Sequence, residues 1–320
     1  MTTVVTGATG VVGGALLRHL IDREGAIRVL VRDPTRSVPE GVERAVGDVL
    51  LYPSLERAFE GADLVFHVAG VNKMCLPNPG EMYRVNVEGT RNVLKAAAAA
   101  GVRRVVYTSS AATIGEPSGT VGTEESAHRE HFHSNYERSK FEAEQVVQTE
   151  AGGVDVVIVN PSSVQGPGRA SGTGKILLDL IAGRLSTVID SRISIVDIDD
   201  CARGHLLAAL KGVTGRRYIL NSFSMTIQEA VGLLASVIDR PLRVRYLPAP
   251  LAVAGGTLIG AAYRLVGKQA PVCREMVRTL VHGHVYDGSR AARELGLNYT
   301  PATDTLSRLI SWARTESLIP

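Results

Sequence analysis

Cysteine is scarce in this chain: three in 320 residues, Cys75, Cys201 and Cys273, odd in number and far apart. That spacing offers no CxxC metal knot, argues against a disulfide framework, and points to a reducing compartment, the cytoplasm. An excess of one charge is also missing. The 35 basic and 32 acidic residues leave a net +3, too balanced for the concentrated basic face of a nucleic-acid binder. Aromatic residues make up only 5%. No run approaches the ~20 strongly apolar residues that a membrane span needs. The nearest is Tyr246 to Tyr263, which has no charge but contains Pro248, Pro250, Gly255, Gly256 and Gly260. It is expected to be a buried or pocket-lining helix. The opening MTTVVTGATG has neither the charged nor the apolar region of a secretory leader, so none is expected.

What is present is an ordinary globular composition, 45% hydrophobic and 21% charged, which excludes disorder. Near-continuous apolar runs occur at Thr3–Thr6, Ile27–Val31, Asp63–Val68, Val105–Thr108 and Val154–Val159. Between them lie helical patterns at Ala15–Ile21, Leu55–Phe59, Tyr83–Ala100 and Ser134–Glu150. Apolar strands alternating with helices predict a parallel sheet covered on both faces, a Rossmann-type doubly wound α/β fold. After Pro161 the pattern loosens. Residues 1–165 are expected to form the dinucleotide-binding domain, with core elements continuing to about residue 220. Residues 166–320 are expected to be mainly a smaller substrate-binding and lid lobe, interleaved with that core.

The segment TGATGVVG carries Gly7, Gly10 and Gly13 between a strand and a helix. In that context Gly7 permits the tight turn, Gly10 lets backbone approach a pyrophosphate, and Gly13 lets the helix pack close to the sheet. Thr9, Val11 and Val12 complete the turn, and the helix N-terminus favours the phosphate. Past the second strand stand Arg32 and, four later, Arg36. Guanidinium groups there suit the 2′-phosphate of NADP, whereas the adjacent Asp33 leaves NAD open. Asp48, next to Val49, either accepts from the adenine amino group or caps a helix. Val68, Ala69 and Gly70 are small enough for the cofactor to lie flat on the sheet edge, while His67 reads as a packed strand residue.

Tyr136 and Lys140, in YERSK, are four apart on a helix and so share a face. An ammonium beside a phenol is expected to lower the phenol pKa toward working pH, which suits proton exchange with a carbonyl or alcohol oxygen. Ser110, at a strand end in YTSSAAT, is placed to bond the same oxygen. Ser109 and Thr113 are its local competitors.

TGATGVVG, HVAG, YRVNVEGT, VVYTSSAATIG, YERSK and NPSSVQGPG, in this order, resemble the extended short-chain dehydrogenase/reductases and their NAD(P)-dependent epimerase/dehydratase group. VRDP and FHVAG are closest to dihydroflavonol-reductase-like and 3β-hydroxysteroid-dehydrogenase-like members. The resemblance implies Ser110, Tyr136 and Lys140 as a catalytic triad, Asn86 as a support, and Pro161 and Ser163 beside the nicotinamide. It also implies a possible homodimer.

Two HxH pairs, His131/His133 and His282/His284, have no third ligand at useful spacing and are read as loop histidines rather than a metal site. Asp197, Asp199 and Asp200 are read as a strand-to-helix cap. The reading is an NADP(H)-dependent oxidoreductase acting on a carbonyl or secondary alcohol. Its small-molecule substrate is expected to be apolar or aromatic, beneath a lid of Leu177–Ile181 and Leu251–Leu265. The alternatives are a nucleotide-sugar epimerase or dehydratase with tightly held NAD(P), and a non-catalytic NADP sensor.

Overall fold

The computed structural model describes residues 1–320. The first half runs β1 (Thr2–Thr6), α1 (Val11–Ile21), β2 (Ala26–Val31), β3 (Val42–Val46), α2 (Tyr52–Phe59), β4 (Leu64–His67), α3 (Gly80–Tyr83), α4 (Gly89–Ala99), β5 (Arg104–Thr108), α5 (Asn135–Thr149) and β6 (Asp155–Pro161). The remainder is shorter and more irregular. It comprises β7 (Ser163–Gln165), α6 (Thr173–Ile181), β8 (Thr187–Ile189), β9 (Arg192–Asp197), α7 (Ile198–Lys211), β10 (Arg217–Leu220), β11 (Phe223–Thr226), α8 (Ile227–Val237), β12 (Arg245–Leu247), α9 (Ala249–Leu265), α10 (Arg274–His282) and α11 (Ala302–Thr315).

Seven parallel strands form the main sheet in the order β10-β6-β5-β4-β1-β2-β3. β1 pairs with β2 on one side and β4 on the other. Strand order therefore reverses at β1/β4, and the loops leaving their carboxyl ends must part there and open a crevice. Both sheet faces are apolar. Val5, Val29, Phe66 and Val106 pack under α1 and α7, and Val4, Val65, Val105 and Val156 pack under α2, α4 and α5. That two-sided burial is why the strands read as continuous apolar runs.

The expected helix Tyr83–Ala100 starts earlier and is not uniform. A π-turn at Arg84–Glu88 joins α3 to α4 and buries Asn86. Ser134 caps α5 by accepting from Glu137 N at 3.2 Å. Asp197 caps α7 by accepting from Asp199 N at 2.8 Å, and Arg308 pairs with both Asp197 and Asp199. The acidic cluster is thus a cap with a counter-ion.

Three expectations are corrected. Cys75 and Cys273, 198 residues apart, form a disulfide with Cα atoms 5.6 Å from each other, leaving Cys201 as the free thiol. The cysteine argument for a reducing compartment falls with it. The fold brings the loop after β4 onto the start of α10, which local spacing could not reveal. Second, α6 is not a lid. Leu177, Leu178 and Ile181 are buried against Leu234, Leu306, Leu309 and Ile310 as the core of the C-terminal lobe. Third, α9 lines a cavity through Val253 but is not buried: Leu258 is 72% and Leu265 89% accessible, and only Ala252 and Gly256 are buried. Its small face is spent on close contact with Cys273 and Val277 of the α10 region, so its large side chains point outward. No helix is long and apolar enough to cross a membrane.

Candidate functional site

The crevice at β1/β4 is floored by backbone. Gly7 turns with φ +74°, and a side chain there would run into Ala69 N at 2.6 Å. Gly13 lies directly over the Gly7 carbonyl and Ala8, so α1 can sit against the turn only without a Cβ. Gly10, exposed, donates to Gly7 O at 3.0 Å and starts α1 without a side-chain cap. Thr9 is exposed beside it, and Val11 and Val12 are half-buried in the first turn. That turn has no acidic residue. Unsatisfied N–H groups and the positive end of the helix dipole therefore face the crevice with nothing of opposite charge. A pyrophosphate fits this cradle.

At the end of β2, Arg32 and Arg36 are exposed and in no ion pair. Asp33 is committed locally: its carboxylate accepts from Thr35 N at 2.9 Å and from the Thr35 hydroxyl, bonds that hold its pKa below the ordinary value. Asp48 turns the chain into α2, accepting from Leu50 N at 2.9 Å, and Val49 is buried behind it. Val68 and Ala69 hang from Thr6, through Val68 N to the Thr6 carbonyl and Ala69 N to the Thr6 hydroxyl. Gly70 is exposed at the crevice. His67 is buried between Thr6 (2.9 Å) and Thr90 (3.0 Å), and burial pushes its pKa down to about 3. It is a neutral packed residue, as the sequence suggested.

Across the crevice β5 delivers Ser110, and α5 delivers Tyr136 and Lys140. Ser110 opens a short 3-10 turn, Ala111–Ile114, and its hydroxyl accepts from Ala112 N at 3.3 Å. The neighbouring hydroxyls are taken. Ser109 and Thr113 both donate to Glu144, which also accepts from Asn160 at 2.9 Å and pairs with Arg217. This buried carboxylate therefore fixes the turn that presents Ser110. Asn86 is the second brace. Its amide bonds both backbone groups of Val71 and donates to Ser139 Oγ at 2.9 Å, clamping the loop beyond Gly70 to the residue before Lys140. Pro161 is buried at the end of β6, and Ser163, half-buried, accepts from Gln165.

The electrostatics differ from expectation at Tyr136. Burial raises its pKa; the Ser110 hydroxyl and the Arg169 charge oppose that. Lys140 is not the group that lowers it. The Lys140 ammonium donates to Thr108 O at 2.7 Å and lies 4.6 Å from the Tyr107 ring centroid. Burial brings its own pKa down to about 8. Desolvating a phenol disfavours the phenolate more than these neighbours favour it.

Sequence reading missed Arg169, Glu144 and Asn160. Arg169, half-buried in the loop after β7, has no ion-pair partner, and its Nε is unpaired. Its loop position carried no periodic signal. Glu144 and Asn160 are signalled only by polar residues at core-facing positions.

Residues 3–220 match the profile of the NAD dependent epimerase/dehydratase family. A Synechocystis sp. protein bearing the name of dihydroflavonol 4-reductase is 33% identical, over 96% of this chain and 93% of that one. Sterol demethylase protein B of Methylococcus capsulatus is also 33% identical, over the full length of both. The crystal structure of gox2253 superimposes with a TM-score of 0.85 at 30% identity, covering 100% of this chain and 99% of that one.

Proposed function

Because this chain belongs to the NAD dependent epimerase/dehydratase family and is an NAD(P)-dependent oxidoreductase of the extended short-chain type, we propose that it is an NADP(H)-dependent reductase of a small apolar or aromatic ketone or aldehyde. The observation that carries the reading is a Tyr136 phenol that burial keeps protonated, on the helix that also carries Lys140. A phenol that holds its proton is in the starting state for giving one up, which is the reducing direction.

The cradle of Gly7, Gly10 and Gly13 with Thr9, Val11 and Val12 would hold the pyrophosphate, and Arg32 and Arg36 the 2′-phosphate. Asp48 and Val49 would border the adenine, and Val68, Ala69, Gly70, Pro161 and Ser163 the rest of the dinucleotide. When bound, it supplies hydride transfer at its nicotinamide ring. Tyr136 donates its proton to the substrate oxygen, and Ser110 donates a hydrogen bond that stabilises the charge developing there. Lys140, held by Thr108 O, would hold the nicotinamide ribose. Asn86 positions the helix that carries Tyr136 and Lys140, and Glu144 positions the Ser110 turn. Residues beyond 166 supply the substrate side.

Tyr136→Phe should lower kcat by about a hundredfold or more while NADPH still binds, as read by fluorescence titration. Unchanged turnover would end the mechanism. Arg32→Asp should weaken NADPH relative to NADH by about tenfold or more, the loss of a charge-assisted bond. Assays with ketones, aldehydes and nucleotide sugars, followed by NADPH absorbance, separate net reduction from epimerisation, which consumes no NADPH.

A further inference from the structure

The two HxH pairs, 149 residues apart from His133 to His282 by numbering, meet in space. The His133 and His282 rings lie 4.6 Å apart between centroids, as do those of His282 and His284. Glu116, 99% buried, joins them from the loop after the Ser110 turn. Its Oε1 is 2.6 Å from His284 Nδ1 and 3.3 Å from His282 Nε2. One ligand atom from each of Glu116, His282 and His284 lies within 4.8 Å of the others.

Hydrogen bonding leaves this cluster incomplete. Glu116 Oε2, His284 Nε2 and both ring nitrogens of His133 are buried without a partner. Buried polar atoms are nearly always paired, so four orphans in one cluster call for a ligand. Arg129, which also lines the cavity beside the cluster, is in a buried ion pair with Glu137. His131, Arg274 and Arg278 share the wall of this cavity, about 550 Å³, with His133 and His282. This cavity gives an ion its way in and leaves room for water on it.

We propose that Glu116, His282 and His284, with His133 as a fourth donor, form a site for a divalent transition-metal ion, zinc by ligand type. Imidazole nitrogens and one carboxylate oxygen are the donors that zinc and its neighbours prefer. The ion would clasp the 116–133 loop to the end of α10. That loop runs directly into Ser134, the cap of α5, two residues before Tyr136. The site is thus a clasp that holds the entry to the Tyr136 helix, and its existence does not depend on the proposed reaction.

The test uses the full-length, tag-free protein, stripped with a chelator and titrated with CoCl2. Expected are one equivalent of bound cobalt with visible d–d bands of low-symmetry N/O coordination, displacement of those bands by ZnCl2, and a rise in Tm. His282→Ala and His133→Ala should each weaken binding by more than the ~10–100-fold that loss of an outer-shell partner causes, while His131→Ala leaves it unchanged. Wild-type protein that binds cobalt no tighter than about 100 μM, some 5.5 kcal/mol, would overturn the site whether or not any variant folds. Full affinity in a His282→Ala protein of native circular dichroism would overturn the ligand assignment.

Discussion

Lys140 holds its ammonium almost entirely out of water, only 5% exposed, and that has a measurable consequence. Burial drops its pKa from the ordinary 10.5 to about 8, against a smaller opposing pull from Glu144. The gap corresponds to about 3 kcal/mol of stability, at 1.36 kcal/mol per pKa unit. A lysine depressed on folding gives the native state fewer protons than the unfolded chain between about pH 8 and 10.5. Stability therefore rises with pH through that window, and below it the whole burial cost is present. Lys140→Met removes this cost and also removes the bond to Thr108 O, a loss of about 1–2 kcal/mol. The variant should thus be more stable than wild type near neutral pH by about 1–2 kcal/mol, the difference of those two terms. That advantage should shrink, and then reverse, by about 2–3 kcal/mol in total on going to about pH 10. Urea denaturation of both proteins at the two pH values gives the comparison, because groups remote from Lys140 titrate alike in each. Stability curves that stay parallel from neutral to alkaline pH would refute the burial argument, and with it the desolvated state of the Lys140 ammonium.

Two further outcomes follow from the braces and the cross-link. Glu144→Gln leaves Arg217 without its carboxylate and should cost about 3 kcal/mol of stability. It should lower kcat with little change in KM for NADPH, because it loosens the Ser110 turn and does not touch the glycine cradle; an unchanged kcat would mean the network is only structural. For the disulfide, thiol titration of the denatured, unreduced chain should find one free thiol, Cys201. Opening the 198-residue loop should lower stability by up to about 5 kcal/mol in the chain-entropy account. Three thiols, or a urea midpoint indifferent to reductant, would contradict the pairing.

Much of the scaffold could be read from the chain because its causes are local. TGATGVVG specifies its turn largely by itself, since Gly7 takes a positive φ and Gly13 lacks a side chain where the Gly7 and Ala8 backbone passes. Sequential strands buried on both faces had to be parallel, and YERSK placed Tyr136 and Lys140 one turn apart on any helix. What misled was the assumption that an apolar segment is a buried one. In α9, Gly256 and Gly260 face Cys273 while Leu258 and Leu265 face outward, an orientation set by what packs on the helix rather than by its composition.

Pairings across long separations belonged to the tertiary structure alone. Cys75 with Cys273, His133 with His282, and Glu144 with Asn160 and Arg217 all join segments whose spacing in sequence carries no signal. The direction of the Tyr136 shift was decided there too. A helix repeat places an ammonium near a phenol, but only the surrounding packing determines how much water either group keeps. Here desolvation, a property of the whole fold, outweighs a contact that sequence spacing can propose.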